Sequence, residues 1–465
     1  MGKVYHSCGV TLVMHRNQIL TALITCTFEH CSTPSCAILL AMPFIADLHI
    51  HSRFSRACSR QLTLPNLVAW CQLKGIEVVA TADFTHPAWF AELHEQLAEA
   101  ETGLYQLKPE FLGETEMTVP ESCKQDVRFI CSTEISLIYK KGERCRKVHY
   151  VILAPNLQIV AKINTELEKR GNIHSDGRPI LGLQSEELLK LLLDISPDIE
   201  LIPAHVWTPH FAIFGSKSGF DSVEECFGNL SKHIHALETG LSSDPPMNWR
   251  LKQNDKYVLV SNSDAHSPAK LGREATIFDC ERSYPAMLKA LREEHKKIST
   301  IEFFPEEGKY HADGLRSEEL CLSPEETRKA NFVSPKTGKP ITVGVLHRVL
   351  DLADRSSEEK PEQANPYFNI IPLTEILSEL LSVGAGSQKV QNRYFELLRL
   401  LGSEFAILKD VSIEEIAKVD GTLSEAIRRM RAGEVIVQPG YDGEYGVIKL
   451  FKDGETKNQN QLTLL

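Results

Sequence analysis

Short apolar runs that end on a histidine or a carboxylate recur along the first half of this 465-residue chain. The first run, Pro43–Ala46, leads directly into the segment DLHIHS at 47–52. Two histidines at positions i and i+2 of a strand point to the same face. His49 and His51 can therefore bind one metal ion together, and Asp47 can orient a ligand from behind.

Further runs of β-forming residues follow the first one in order. They are Val78–Asp83, Arg128–Glu134, Lys147–Leu153 with His149 inside it, Leu201–His205, His235–Thr239, and Tyr257–Ser261, which continues to Asp264 and His266. Helical stretches, such as 64–74, 87–101 and 185–193, lie between most of these runs. Strands that alternate with helices predict a parallel sheet, and polar groups at successive strand C-termini are typical of an α/β barrel.

Each of these motifs, taken singly, has an ordinary structural interpretation. The pattern D-x-H-x-H also occurs in strands with buried, hydrogen-bonded histidines, and a lone His or Asp at a strand end is usually a polar loop residue. An ordered series over residues 47–266 is hard to explain in that way. It favours a metal-dependent hydrolase, and a site of His, Asp and Glu without Cys suits Zn²⁺, Mn²⁺ or Fe²⁺.

The motifs DLHIHS (47–52), TAD (81–83), TE (133–134), PAH (203–205) and SNSDAHS (261–267) together resemble the polymerase-and-histidinol-phosphatase (PHP) metallohydrolases. A longer series is similar to the endonuclease Q family over about residues 43–452. It comprises SDGRP (175–179), ETGLS (238–242), LGRE (271–274), GVLHRV (344–349), GSEF (402–405) and PGYDG (439–443). The resemblance implies an α/β fold, a distorted (β/α)7 PHP barrel with metal ions in its mouth. It also implies cleavage of DNA on the 5′ side of deaminated bases.

The resemblance and the metal chemistry together predict a set of ligands. We assign His49, His51 and Asp264 to one ion, and Glu134, His149 and His205 to a second, with Glu134 as the bridging carboxylate. Asp83 and His266 complete the predicted cluster, with a third ion as an alternative. We expect two or three divalent ions, Zn²⁺ in preference to Mn²⁺ or Mg²⁺. Asp264 and Glu134 are also the predicted catalytic carboxylates.

Contacts to DNA are predicted mainly from local basic clusters. The net charge of −11 argues mildly against a nucleic-acid partner, but DNA affinity depends on local phosphate contacts. Arg53 and Arg56 follow the histidine pair, and we expect one of them to neutralise the scissile phosphate. The other predicted DNA contacts are Arg60, Lys140, Lys141, Arg144, Arg178, Trp207, Gly384, Gly386 and Tyr441. For the basic residues the alternative is a solvated surface. For Trp207 it is burial in the core, and for Gly384 and Gly386 it is a plain structural turn.

The chain is long enough for several domains. The prediction is a leader at 1–41, a PHP barrel at 42–305, a small zinc-ribbon-like insert at 306–355, a linker at 356–366, and a helical C-terminal DNA-binding domain at 367–465. We hypothesise that Met42 is the true start and that the leader is a misassigned translation start. A disordered or targeting leader is the alternative.

The insert departs from the pattern that the resemblance implies. The positions expected to hold zinc-binding cysteines carry Glu318, Ser334 and Thr337, and only Cys321 remains nearby. A structural zinc site needs four N or S ligands. We therefore predict a degenerate ribbon without zinc.

The predicted function is a metal-dependent endonuclease in DNA repair. It would cut the phosphodiester 5′ to uracil, hypoxanthine, xanthine or an abasic site in double- or single-stranded DNA. The alternatives are a PHP phosphoesterase for a small phosphomonoester and a non-catalytic DNA-binding scaffold. The scattered cysteines predict reduced thiols and a cytoplasmic location, and no apolar stretch predicts a membrane span. A sliding clamp is a candidate partner, although the chain lacks a clear Q-x-x-[LIM]-x-x-F-F peptide.

Overall fold

A computed structural model describes residues 42–115, 117–452 and 454–455. The leader at 1–41, on which the start-site hypothesis rests, lies outside these residues. Among the helices of the described part, none has the length and apolar character needed to cross a membrane.

The strands, numbered in chain order, have the following bounds. They are β1 Phe44–Asp47, β2 Val78–Ala80, β3 Leu97–Glu99, β4 Leu104–Leu107, β5 Arg128–Lys141, β6 Arg144–Ala154, β7 Ile180–Leu181, β8 Glu200–Pro203, β9 Ala236–Glu238, β10 Val258–Val260, β11 Ala275–Phe278, β12 Ile298–Glu302, β13 Asp313–Leu315, β14 Leu320–Leu322, β15 Tyr367–Asn369, β16 Ile436–Gln438 and β17 Val447–Lys449.

The helices that accompany these strands are numbered in the same way. They are α1 Leu64–Lys74, α2 Pro87–Gln96, α3 Leu157–Glu168, α4 Ser185–Ile195, α5 Val223–Phe227, α6 Pro245–Asn248, α7 Tyr284–Arg292, α8 Pro324–Lys329, α9 Val345–Leu352, α10 Leu373–Leu381, α11 Gln388–Leu401, α12 Ile413–Val419 and α13 Gly421–Arg431.

The sheet is mixed rather than wholly parallel. Strands β1, β2 and β5 pair in parallel, but β5 turns at Gly142 into antiparallel β6, which in turn pairs antiparallel with β8. Strand β11 is antiparallel to both β1 and β12. The sheet therefore departs from the predicted parallel arrangement at β6, because the turn between Lys141 and Arg144 is far too short for a crossover helix.

The barrel closes through contacts near the strand ends. Strands β9 and β10 form their own parallel pair. The end of β10 reaches the end of β1, where the Asp264 amide donates to the His49 carbonyl over 2.9 Å and Ile50 bridges to Ala265. This closure brings together the two segments that carry the HIH and SDAH motifs.

Apolar side chains from many strands form a core that supports the site. Among the members at no more than 1% exposure are Ala46, Leu48, Ile130, Val151, Ile202, Ala204 and Val260. Small and β-branched residues suit such positions because they pack closely on a pleated surface. The polar strand ends are thus held on a rigid base.

The ribbon-like insert is closed by hydrogen bonds among the substituted positions. The Glu318 carboxylate accepts from the hydroxyls of Ser334 and Thr337, while the exposed Cys321 lies on β14, opposite Gly314 of β13. These residues do not supply four N or S ligands, so the prediction of a ribbon without zinc stands as a prediction.

The C-terminal region is helical, as predicted. Helices α10 to α13 occupy residues 373–431, and a short antiparallel pair, β16 and β17, follows them. The preceding strand β15 pairs with β12 of the barrel sheet. This pairing joins the start of the C-terminal region to the barrel sheet. The predicted domain boundaries stay predictions.

Candidate metal centre

Three predicted site residues have left-handed backbones at strand ends. The φ angles are 36° at Asp83, 30° at His205 and 47° at Asp264. A non-glycine residue in this region costs on the order of 1–3 kcal/mol and persists only where the surroundings enforce it, commonly at functional sites. The turns at His205 and Asp264 direct these side chains into two groups of potential metal ligands, and the turn at Asp83 directs its carboxylate to His51.

The first group of potential ligands contains His49, His51, Glu134 and Asp264. One ligand atom from each lies within 4.8 Å of all the others. His51 Nε2 is 3.0 Å from Asp264 Oδ1 and 3.3 Å from Glu134 Oε2. His49 Nε2 is buried and has no hydrogen-bond partner among the described residues, which suits an atom that binds a metal ion.

The second group contains Glu134, His149 and His205. Glu134 Oε1 is 2.6 Å from His149 Nδ1 and 3.1 Å from His205 Nε2. The other oxygen, Oε2, faces the first group. Glu134 therefore joins the two groups through one carboxylate, as expected for a bridging ligand.

The charges of the centre shift several pKa values. Burial lowers the pKa of His149 to about 4 despite the neighbouring Glu134. Burial opposes ionisation of Glu134, but His149, His49 and Arg178 hold the pKa of that carboxyl well below its usual range. For His49, burial likewise opposes the charge, while Glu238 and Glu134 raise the pKa well above its usual value. A cation is thus favoured among these carboxylates.

Glu238 is a functional residue that the sequence analysis missed. Its buried carboxylate contacts His49 Nδ1 at 3.0 Å through both oxygens and accepts the His205 amide at 2.7 Å. Asn262 also donates to it, at 2.9 Å. Since a carboxylate only accepts, His49 carries its proton on Nδ1 and leaves Nε2 free for a metal. The ETG motif after β9 was the available signal.

Asp83 and Asp47 lie outside both ligand groups. Asp83 Oδ1 is 3.3 Å from His51 Nδ1, and Oδ2 accepts from the Ser52 amide, the Ser52 hydroxyl and the Ser55 hydroxyl. Asp83 therefore holds His51 in place, and its role as a metal ligand stays a prediction. Asp47 accepts from the Ser263 and Gly272 amides and so supports the loop after β10.

His266 stands at the rim of the centre. Its ring lies 4.6 Å from that of His51, and its Nδ1 is 3.6 Å from Asp264 Oδ1. The side chain is 35% exposed, whereas His49 and His51 are buried. His266 is thus close to the first group without belonging to it.

The arginine at the centre is Arg178, which was predicted only as a DNA contact. Its Nη1 lies 2.9 Å from Glu134 Oε2. The preceding Gly177 makes this approach possible, because a Cβ there would collide with the Asp83 carboxylate. By contrast, Arg53 pairs with Glu92 at 2.7 Å. Neutralisation of the phosphate by Arg53 or Arg56 stays a prediction, with the Arg53 guanidinium paired to Glu92.

The remaining basic predictions lie on the surface. Arg56, Arg60, Lys140 and Arg144 are exposed. The backbone amide of Arg56 donates a hydrogen bond to Asp176 Oδ1 over 3.3 Å. Lys141 donates to the carbonyls of Glu225 and Cys226.

Trp207 is a core residue, and its predicted contact with a base is wrong. It is 1% exposed, packs on Phe214, and donates from Nε1 to Asn248 over 2.8 Å. The turn from His205 directs this large ring inward, where burial of apolar area is favourable.

The two predicted glycine contacts lie on an exposed turn between α10 and α11. Gly384 and Gly386 do not cap the helices; Ser382 ends α10 in a left-handed conformation, and the Ser387 hydroxyl caps α11. Tyr441 is half-buried, and its ring packs on Gly314 of the insert. Contact of Gly384, Gly386 and Tyr441 with DNA stays a prediction.

Comparison with known proteins places this geometry in a family. A family described as the MJ0043 C-terminal domain matches residues 372–434. The crystal structure of the lesion-specific endonuclease PfuEndoQ from Pyrococcus furiosus is 31% identical with a TM-score of 0.77, covering 90% of this chain and 99% of that one. The chain belongs to the endonuclease Q family. It is therefore an enzyme, a metal-dependent phosphodiester hydrolase with a PHP-type α/β fold.

Other relatives agree with this assignment. A structure of endonuclease Q with a 27-mer duplex substrate carrying an abasic lesion at the active site is 30% identical, with a TM-score of 0.75 and coverage of 89% and 98%. The uncharacterised protein YqxK of Bacillus subtilis is 28% identical over 87% of this chain and 98% of its own length. The uncharacterised protein MJ0043 of Methanocaldococcus jannaschii is 32% identical over 52% of this chain, but the match spans only 31% of that longer protein.

Proposed function

We propose that this endonuclease Q family member cleaves DNA on the 5′ side of a deaminated or abasic nucleotide, with uracil, hypoxanthine, xanthine and abasic sites as substrates. The observation that carries the proposal is the position of Glu134, whose two oxygens face two separate histidine groups. Paired sites of this kind suit in-line phosphoryl displacement. The family member solved with an abasic duplex supports DNA as the substrate.

We propose two divalent ions at this centre. The described residues fit them, since two ligand groups share Glu134 and the donors are imidazole nitrogens and carboxylate oxygens. Zn²⁺ matches this set best, with Mn²⁺ and Mg²⁺ as alternatives. Asp83 gives no support to a third ion, because its carboxylate is already taken by His51, Ser52 and Ser55. When bound, the ions would acidify water and stabilise charge on the phosphate oxygens.

Other side chains at the centre would orient the ligands and bind the phosphate. His51 and His49 are held by Asp83 and Glu238, so their Nε2 atoms are fixed towards the centre. Arg178, at the open side with 27% exposure, would pair with the scissile phosphate. The left-handed turns at His205 and Asp264 keep this geometry ready before DNA arrives.

Two alternatives are less well supported. Both ligand groups are complete, which argues against a scaffold that has lost its metals. The coverage of 98–99% of the solved endonuclease Q chains includes the C-terminal helices, which a small phosphomonoesterase would not need. Each alternative predicts a distinct result in one assay.

The assay uses end-labelled duplexes that carry uracil, hypoxanthine, xanthine, an abasic site or no lesion. They are incubated with the full chain and Zn²⁺, Mn²⁺ or Mg²⁺, and with a chelator as control. We expect a single cut 5′ to the lesion, on the modified strand only, which Asp264→Asn abolishes while the fold is retained. Equal cutting of the undamaged duplex, or hydrolysis of p-nitrophenyl phosphate alone, would contradict the proposal.

A further inference from the structure

The turn at 439–446, between β16 and β17, presents an unusually exposed aromatic ring. Tyr445 is 73% exposed, the highest value among the large apolar side chains described from residue 43 onward. Tyr310 is 38% exposed nearby, and Lys309 Nζ lies 5.7 Å from the ring centroid of each tyrosine. We call Lys309, Tyr310 and Tyr445 the tyrosine–lysine cluster.

The turn that carries Tyr445 is firmly held. Backbone hydrogen bonds of 2.8–3.0 Å join it to residues 306–312, namely Gly440 to Glu306, Gly443 to Lys309, Gly446 to Glu307 and Ala312 to Gly440. The Asp442 carboxylate also accepts from the Arg316 amide at 2.7 Å and the Thr342 hydroxyl at 2.6 Å. An exposed ring on a rigid turn loses little conformational entropy on binding.

Close packing leaves the turn little room to move. A Cβ on Gly446 would collide with the Glu306 carbonyl, and one on Gly440 would lie 2.5 Å from the Gly308 carbonyl. The exposure of Tyr445 is therefore a property of a fixed surface, because the backbone of the turn packs closely against Glu306 and Gly308.

A short series of contacts links this surface to the metal centre. Gly240 packs against His205 of the second ligand group, and a Cβ on Gly308 would lie 3.8 Å from the Leu241 carbonyl. Gly308 in turn packs against Gly440, in the turn that carries Tyr445. The turn that carries Tyr445 is thus packed on Gly308, which also approaches the loop that follows β9 and contacts His205.

We infer that the tyrosine–lysine cluster stacks on the DNA base left unpaired opposite the lesion. Extrusion of the lesion nucleotide leaves its partner base without a pair, and every base offers a face on which an aromatic ring can stack. A lysine next to the rings supplies positive charge for the adjoining phosphate. This inference rests on the proposed function, since it needs lesion-containing DNA at the metal centre.

The test places 2-aminopurine opposite an abasic site in a duplex and measures its fluorescence at saturating full-length protein with chelator. Stacking quenches this fluorophore, so we expect the wild type to give a lower signal than Tyr445→Ala. Tyr445→Phe should quench like the wild type. Duplex affinity, followed by anisotropy, should fall about 10-fold in Tyr445→Ala, within the range for loss of one stacked base.

Phe368→Ala is the matched control. Phe368 is 40% exposed on β15, and Lys409 Nζ lies 5.4 Å from its ring centroid. The Phe368→Ala variant therefore removes a similar cation–aromatic pair at another place on the surface. It should leave both quenching and affinity unchanged. Thermal melting of each variant identifies any loss of fold, and Tyr445→Phe keeps the test valid if Tyr445→Ala melts early.

The outcomes separate this inference from the proposed function. Wild-type cleavage of lesion DNA with equal quenching by wild type and Tyr445→Ala overturns the stacking role alone. Equal quenching together with self-association that Tyr445→Ala abolishes would assign the surface to a protein partner, and also overturns it. Failure of the wild type to bind or cut lesion DNA overturns the proposed function itself.

Discussion

Replacement of Glu238 by glutamine tests whether one carboxylate positions both ligand groups. Oε1 contacts His49 and Asn262, and Oε2 contacts His49 and the His205 amide. A glutamine side chain at this position would keep one accepting oxygen and place an NH₂ against N–H donors in either orientation. Glu238 is 1% exposed, and Glu238→Gln therefore removes at least one buried, charge-assisted hydrogen bond.

The expected magnitude follows from these contacts. One hydrogen bond to a charged group contributes about 1.5–3 kcal/mol, and loss of a group that orients a metal ligand typically lowers metal affinity about 10–100-fold. We expect weaker binding of both ions, because Glu238 bonds His49 of the first group and the backbone of His205 in the second.

The assay is calorimetric titration of metal-depleted protein with Zn²⁺, with cleavage rates measured at saturating metal. Glu200→Gln is the matched control, since Glu200 is an equally buried carboxylate that bonds His235 at 2.9 Å and Arg292 at 2.7 Å, away from the ligands. It should lower the free energy of unfolding but preserve the zinc affinity. Wild-type zinc affinity in Glu238→Gln would refute the reasoning.

Three further perturbations test other parts of the structure. Arg178→Met should slow cleavage about 100-fold, as loss of one charge-stabilising donor does, whereas the surface variant Arg170→Met should match the wild-type rate. Burial raises the pKa of Glu302 to about 8, so the folded state retains a proton that the unfolded chain releases near pH 4.3. That contribution to stability is full below about pH 4.3 and is lost as the pH rises towards 8; urea unfolding at several pH values should show a smaller decline for Glu302→Gln, and an equal decline would contradict this. Glu318→Ala should leave the zinc content per chain unchanged in elemental analysis, since Glu318 bonds Ser334 and Thr337; loss of one zinc would show a metal in the insert.

The pattern of strand-end residues predicted much of the centre because strand C-termini converge in α/β barrels. His49, His51, Glu134 and Asp264 meet in one group, and His149 joins Glu134 in the other. The predicted helical region at 367–465 also contains α10 and α11, because an amphipathic period of 3.6 is a local signal.

Other features depended on contacts between distant segments. Arg53 lies four residues after His49, yet Glu92 on α2 draws it away, while Arg178 arrives at Glu134 from a loop 44 residues further along. Trp207 follows His205 closely, but the left-handed backbone at His205 directs the ring into the core. No local pattern reports such pairings, because they depend on which surfaces the folded chain brings together.

The residues that could bind metal, and their order along the chain, were predictable from side-chain chemistry and strand periodicity, which are local properties. The family was indicated by the similarity of the motif series to known proteins. Only the folded chain shows which groups meet: Glu134 contacts both groups of potential ligands, Asp83 and Glu238 bond to the histidines, and Arg178 pairs with Glu134. Roles depend on distances of a few ångströms between segments far apart in the chain, and only the closed barrel sets those distances.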